Sequence, residues 1–250
     1  MSETQDQKTP HYRPAGDSGL IVEFGDRLDE RVNNAVLAFD ARLRRAALAG
    51  VSETVPTIAS VLISFDPLAL PLERLEGELD ALLAETDWLS ASPPAGRKRW
   101  RIPALYGGEA GPDLAETAEL VGVGEAELVR EHAETVQRVL MLGFAPGFSY
   151  LGRLPERWDL PRLTKPKPQV PPGSLSVAVR QSTFTATTIP TGWRTIARSP
   201  FLAFDLARDP AFALEPGDEV TFEPITQSEF ERLEAREAAG DIVASSEVLS

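Results

Sequence analysis

Three stretches of this chain carry the residue types from which an anion-binding or acid–base site is built. Leu142-Gly143-Phe144-Ala145-Pro146-Gly147-Phe148-Ser149-Tyr150-Leu151-Gly152 packs three glycines, a proline and three aromatics into eleven residues. Glycine permits close backbone approach and positive φ, and aromatic rings supply flat apolar walls. Such a loop can line a pocket, but composition alone favours a core-plugging turn. Pro155 to Pro172 holds six prolines together with Arg162, Lys165 and Lys167. Proline stiffening lowers the entropy lost when a loop presents charge to a ligand. Arginine as a fork and lysine as a point charge both suit carboxylate or phosphate. The third candidate is His132, whose near-neutral pKa serves acid–base chemistry when the ring faces a cleft. Its place on the apolar side of a helix, after Leu128 and Val129, favours instead a satisfied core histidine.

Other chemistries are excluded. The chain has 250 residues and no cysteine, which removes disulfides, thiol nucleophiles and cysteine metal sites. Its only histidines are His11 and His132, too few for a histidine-rich metal centre, and no metal site is expected. There is no Gly-x4-Gly-Lys-Ser/Thr string to cradle phosphates. Gly147 to Gly152 misses the spacing of a hydrolase nucleophile elbow by one residue. A net charge of −13 would repel a nucleic-acid backbone. Between Arg153 and Arg198, however, eight basic residues face only two acidic ones, Glu156 and Asp159. This positive island either draws an anionic ligand or partner, or pairs internally with the acidic remainder. The polar N-terminus lacks an apolar signal region, and no apolar run approaches the ~20 residues of a membrane span, so the chain is read as cytoplasmic.

The elements that must position these loops follow from periodicity. Residues 1–11 are expected to form a disordered lead-in, and residues 12–96 a small α+β domain. Within it, strands are predicted at 19–24 and 58–65. A helix from about Asp29 carries Val32, Val36, Phe39 and Leu43 at helical spacing and is capped at Gly50; a second opens at Pro71 with a leucine stripe. Ser90 to Gly96 reads as a linker. Residues 97–225 change texture, with a strand at 97–102 and two short helices at 113–121 and 125–134. Asp113 and Glu116 resemble a capping box. Strands are predicted at 138–142, 175–180, 184–188, 194–197 and 219–222, and together they suggest a closed or nearly closed barrel. A final helix starts at Thr226, again with a capping-box Glu229, and residues 241–250 are expected to be a loose tail.

Several stretches, taken in order, resemble the family of the 5-oxoprolinase B component, also described as carboxyltransferase subdomain C/D or allophanate hydrolase subunit 1. They are Gly16 to Gly25, Val55-Pro56, Asp66-Pro67, Tyr106-Gly107-Gly108, Gly111 to Leu114, His132, Leu142 to Gly152, Pro161-Arg162, Val170 to Ser174, Gly192-Trp193, Arg198 and Pro216-Gly217-Asp218. The resemblance spans roughly residues 12–225. It implies an α+β fold, a small α/β-sandwich domain followed by a cyclophilin-like β-barrel. It also implies a larger carboxyltransferase A/B-type partner (like the C component of 5-oxoprolinase), a third subunit of the lactam-utilisation type, and ATP with magnesium acting in the complex. The implied reaction opens 5-oxoproline, a small anionic lactam, to glutamate. On this resemblance His132, Arg162 and Lys167 become candidate catalytic residues. Phe144, Pro146, Gly147, Phe148, Tyr150, Lys165, Gln181, Trp193 and Arg194 become candidate substrate-binding residues around the barrel mouth. A different role is also implied by the family, inhibition of a sensor histidine kinase without catalysis. This chain departs from its relatives at Pro190-Thr191-Gly192-Trp193, usually Pro-Gly-Gly-Trp, and at Lys167, usually arginine.

Overall fold

The computed structural model describes residues 10–249. The chain divides into two compact units, one running to Pro94 and one from Ala95. Most of the expected lead-in, residues 1–9, lies outside the described residues.

In the first unit the order is β1 (His11–Pro14), β2 (Gly19–Glu23), α1 (Glu30–Ala46), β3 (Val51–Pro56), β4 (Ser60–Phe65) and α2 (Leu72–Leu83). The strands form an antiparallel sheet in the order β1-β2-β4-β3. Strands β2 and β4 alternate between buried and half-buried residues, the pattern of a sheet with one face on a core. Val36, Phe39 and Leu43 of α1 and Leu75 and Leu79 of α2 cover that face. The Asp29 carboxylate accepts from the Arg31 amide at 2.8 Å and so fixes the start of α1. The helix stops earlier than expected, at a left-handed Ala47 rather than at Gly50. Strands β1 and β3 were not anticipated. β1 lies partly within the expected lead-in, and in β3 the exposed polar pair Ser52-Glu53 follows Val51 and hides the alternation.

The second unit runs β5 (Lys98–Tyr106), α3 (Leu114–Val121), α4 (Glu125–Glu134), β6 (Gln137–Leu142), β7 (Ser149–Gly152), β8 (Lys167–Val170), β9 (Ser174–Ala178), β10 (Gln181–Phe184), β11 (Ile189–Thr191), β12 (Arg194–Arg198), β13 (Glu219–Pro224), α5 (Gln227–Ala238) and β14 (Ser245–Val248). Seven strands close into a ring, β12-β9-β10-β7-β6-β13-β5 and back to β12, with β13 parallel to β5. Closure removes the ring's open edges. β14 adds to β5 outside the ring, so the expected loose tail contains a strand. Ile102, Leu128, Leu151, Leu175, Phe184 and Ile196 fill the interior. Each such side chain contributes about 1.5–3 kcal/mol by leaving water.

Two corrections concern turns. β9 ends at Ala178 because Val179 and Arg180 both adopt positive φ and form a two-residue hairpin into β10. No Asn-Gly or Asp-Gly announces that turn. The strand expected at 184–188 is therefore at 181–184, and Thr185 Oγ1 turns the chain by donating to the Thr187 carbonyl at 2.6 Å. Pro216-Gly217-Asp218 is a turn clasped to β5. Its buried Asp218 accepts from the Lys98 amide at 2.7 Å and from Trp100 Nε1 at 3.0 Å.

Candidate functional site

The barrel interior holds one of the predicted residues. His132, on α4, is fully buried. Its Nδ1 lies 2.8 Å from the Tyr106 hydroxyl and its Nε2 3.0 Å from Ser182 Oγ. The ring stacks on Phe222 at 5.1 Å, with Trp158 at 5.7 Å. Desolvation pushes the imidazole down to about 3, so it is neutral near pH 7. A neutral ring held between two hydroxyls and packed by aromatics is a satisfied buried histidine. The structure thus places His132, expected as a candidate catalytic residue, in the packed interior of the second unit.

The loops gather instead on the outer face of the ring. Tyr150 of β7 is opposite Thr183 of β10, which is opposite Ser176 of β9, which is opposite Thr195 of β12. Residues opposite one another share a face, so a hydroxyl-bearing row crosses four strands. Ser176 Oγ and Thr195 Oγ1 are 3.1 Å apart. The two-stranded ribbon of β8 and β11 contributes Val170 and Ile189, which pack with Phe148 against Ala145 and Tyr150 in a satellite cluster.

From that cluster runs a chain of rings. Phe144 meets Phe148 at 5.5 Å, Phe148 meets Tyr150 at 4.9 Å, and Tyr150 meets Trp193 at 6.2 Å. The Arg162 guanidinium ends the run, 5.7 Å over the Trp193 ring. Burial raises the Tyr150 phenol while Arg162 opposes the shift, and the net effect is upward. Tyr150 thus stays a hydrogen-bond donor beside an exposed cation. Two donors against a flat ring suit a small planar carboxylate.

The other predicted residues support this face rather than line it. Arg194 is almost fully buried; its guanidinium bonds Glu116 at 3.2 Å and the Pro161 carbonyl at 2.7 Å. That second bond pins the residue immediately before Arg162. Lys167 is ion-paired to Asp113, and Asp113 Oδ2 also accepts from the Thr195 amide at 2.6 Å. The expected Asp113–Glu116 capping box is absent because each carboxylate is taken by a distant cation. Lysine suffices at 167 because its partner is a single carboxylate oxygen. Gln181 shares the outer face two residues before Thr183, and its Nε2 has no hydrogen-bond partner among the described residues. Pro146 and Lys165 are exposed. Gly147 is buried, where any Cβ would overlap Cβ of Phe204. Thr191, in place of a glycine, accepts from the Trp193 amide through Oγ1 at 3.1 Å and so fixes that ring.

Much of the positive island is neutralised internally. Arg157 pairs with Glu131, Arg180 with Glu156, and Arg198 with Glu234, beside the Lys167 and Arg194 pairs. Arg153, Arg162 and Lys165 make no ion pair among the described residues, and of these Arg162 sits on the aromatic run. Asp113, Thr183, Ser176 and Thr195 were missed. The signal for Asp113 was its place in Gly-Pro-Asp-Leu, read as a helix start and as part of the family pattern, with no role assigned to the carboxylate.

The family model for the carboxyltransferase domain, subdomain C and D, matches residues 10–214. The chain belongs to this family. Among its relatives is the B component of 5-oxoprolinase from Bacillus subtilis (strain 168), 31% identical over 225 residues, 86% of this chain and 92% of that protein. Another is the B component of 5-oxoprolinase from Escherichia coli O157:H7, 36% identical over 200 residues, 75% of this chain and 87% of that protein. Among solved structures, this carboxyltransferase-family chain is 30% identical to TTHA0988 with a TM-score of 0.72, covering 83% of itself but only 40% of that longer chain. It matches all of itself to 25% of the Kluyveromyces lactis urea carboxylase at a TM-score of 0.81, where 18% identity establishes likeness of fold. Among the described residues no helix is long and apolar enough to cross a membrane.

Proposed function

We propose that this chain is the smaller, non-autonomous subunit of an ATP-dependent 5-oxoprolinase-type amidohydrolase, acting with a larger carboxyltransferase A/B-type subunit and a lactam-utilisation-type subunit. The observation that carries the reading is the Arg162–Trp193–Tyr150 corner: a cation held over a ring beside a protonated phenol. There the carboxylate of 5-oxoproline would pair with Arg162 and accept from Tyr150. The names of the 31% and 36% identical relatives support the same substrate.

A lactam amide resists water. Transfer of the ATP γ-phosphoryl group to the lactam oxygen makes the ring carbon electrophilic and turns that oxygen into a leaving group. Water then adds to that carbon, the C–N bond opens as the nitrogen takes up a proton to leave an acyl phosphate, and a second water displaces phosphate from it, so hydrolysis of ATP drives ring opening to glutamate. Among the described residues no group of three or more His, Asp or Glu side chains could hold a metal. Magnesium would arrive on the nucleotide phosphates, and the chain's own part would be to bind and orient the carboxylate.

The test is reconstitution. Glutamate and phosphate should be released from 5-oxoproline and ATP by the combined subunits and not by this chain alone. Equal turnover by the isolated chain, or none by the complex, would defeat the reading.

A further inference from the structure

Gln181 carries a donor that the folded chain does not use. The residue is half-buried, and its buried Nε2 has no hydrogen-bond partner among the described residues. A buried N–H without an acceptor is costly, and in a native fold it calls for a reason. Strand register points to one. Gln181 is opposite Gly152 on β7 and Ala178 on β9, so neither cross-strand neighbour offers it a bonding side chain. Thr183, two residues on, is opposite Tyr150. Gln181 and Tyr150 are therefore diagonal neighbours on the outer face, a separation that long side chains bridge. Across β9, Arg194 is opposite Val177, so Trp193, the residue before it, enters beside Ala178. Gln181 thus borders the place where the Tyr150 and Trp193 rings meet at 6.2 Å. Because Nε2 makes no bond in the free chain, a swing of the amide toward that place breaks none.

A carboxamide presents an acceptor and a donor side by side. A secondary amide shows the complementary pair on one edge only when its N–H and C=O are cis. Open-chain amides are almost always trans, whereas a five-membered ring locks its amide cis. A glutamine side chain and a lactam can therefore form two parallel hydrogen bonds, Nε2–H to the lactam oxygen and lactam N–H to Oε1. In 5-oxoproline the carboxylate stands on the carbon next to the lactam nitrogen. A ligand held by that carboxylate at Arg162 and Tyr150 brings its amide edge close by, where a diagonal neighbour of Tyr150 can meet it.

We propose that Gln181 is the specificity-determining residue of this site, its carboxamide pairing with the cis amide edge of a lactam. This rests on the functional reading above and deepens it: Arg162 and Tyr150 read the charge, Gln181 reads the ring amide, and the site selects cyclic over open-chain amides. A site that hydrogen-bonds a substrate N–H rejects the analogue lacking it, because its own polar groups are then left unpaired.

Kinetics of the reconstituted complex, with the wild-type chain and with Gln181→Met, test it. Methionine keeps the length of the side chain and removes both bonding atoms. The probes are 5-oxoproline as substrate and, as competitive inhibitor, 3-oxocyclopentane-1-carboxylate, the carbocycle in which CH2 replaces the lactam N–H. In the wild type the inhibition constant of the carbocycle should exceed the KM for 5-oxoproline at least tenfold. Gln181→Met should raise that KM at least tenfold and erase the preference for the lactam. The variant chain should nevertheless melt at or above the wild-type temperature, since Nε2 has no bond to lose. A Gln181→Met complex that keeps the wild-type preference, or a wild type that shows none, overturns this inference and leaves the functional reading standing. A wild-type complex that does not turn over 5-oxoproline overturns the functional reading and this inference with it.

Discussion

Replacing His132 by glutamine should remove a pH-dependent part of this chain's stability. The imidazole is pushed down to about 3 in the folded chain by desolvation, against about 6.5 when exposed. Between those values the unfolded chain binds a proton that the folded chain refuses, so stability falls as pH falls through this window. The folded state is favoured in full only above the unfolded value. At pH 5 the proton taken up on unfolding costs about 2 kcal/mol of stability relative to pH 7. His132 contacts Tyr106, Ser182, Gln137, Phe222 and Trp158, and no carboxylate is among these contacts to offset the loss. Urea unfolding followed by tryptophan fluorescence at pH 7 and pH 5 measures it, since Trp100, Trp158 and Trp193 all report on the second unit. The wild type should lose about 2 kcal/mol more than His132→Gln over that interval. With only two histidines in the chain, the His132 imidazole is also easily followed by NMR and should not titrate between pH 5 and 8. Equal losses in the two proteins, or a His132 ring that titrates near pH 6.5, would refute the buried assignment.

The remaining perturbations probe the supports of the outer face. Asp113→Ala strands both Lys167 and the Thr195 amide and should cost about 2–4 kcal/mol, against about 1 kcal/mol for Lys167→Met, whose removal leaves Asp113 one donor; denaturant titration compares them. Glu237 is nearly buried and accepts from Arg208 at 2.7 Å and from the Leu202 amide at 3.1 Å. Glu237→Ala should cost about 3–5 kcal/mol and raise amide exchange across residues 202–208. Gly147→Ala meets both the Phe204 side chain and a φ of +69°, and should destabilise by at least about 2 kcal/mol in a thermal melt.

What could be read in advance was local. The apolar stripe of α1 and the cap of α5 are set by neighbours three or four residues apart. The Thr226–Glu229 box forms as its spacing implied, with Glu229 Oε2 2.9 Å from the Thr226 amide. The identical pattern at Asp113 and Glu116 failed because Lys167 and Arg194 are stronger partners than backbone amides, and they lie 54 and 78 residues away. The loops of the site were recognised from glycine, proline and aromatic content. Which side of the barrel they occupy depends on strand register, which composition does not encode. His132 shows the same limit: its helical position pointed to the core, and only the closed ring of strands shows how complete its burial is.

The central claim is that Arg162, beside Tyr150 and Trp193, receives the carboxylate of the substrate. Steady-state kinetics of the reconstituted complex carrying Arg162→Ala, run with 5-oxoproline and with the same lactam lacking its carboxylate, tests it most directly. The account predicts a KM for 5-oxoproline raised at least tenfold, the loss of about 1.4 kcal/mol or more of ground-state binding, with the truncated lactam used equally by both proteins. An unchanged KM for 5-oxoproline, or an equal loss with both lactams, would contradict it.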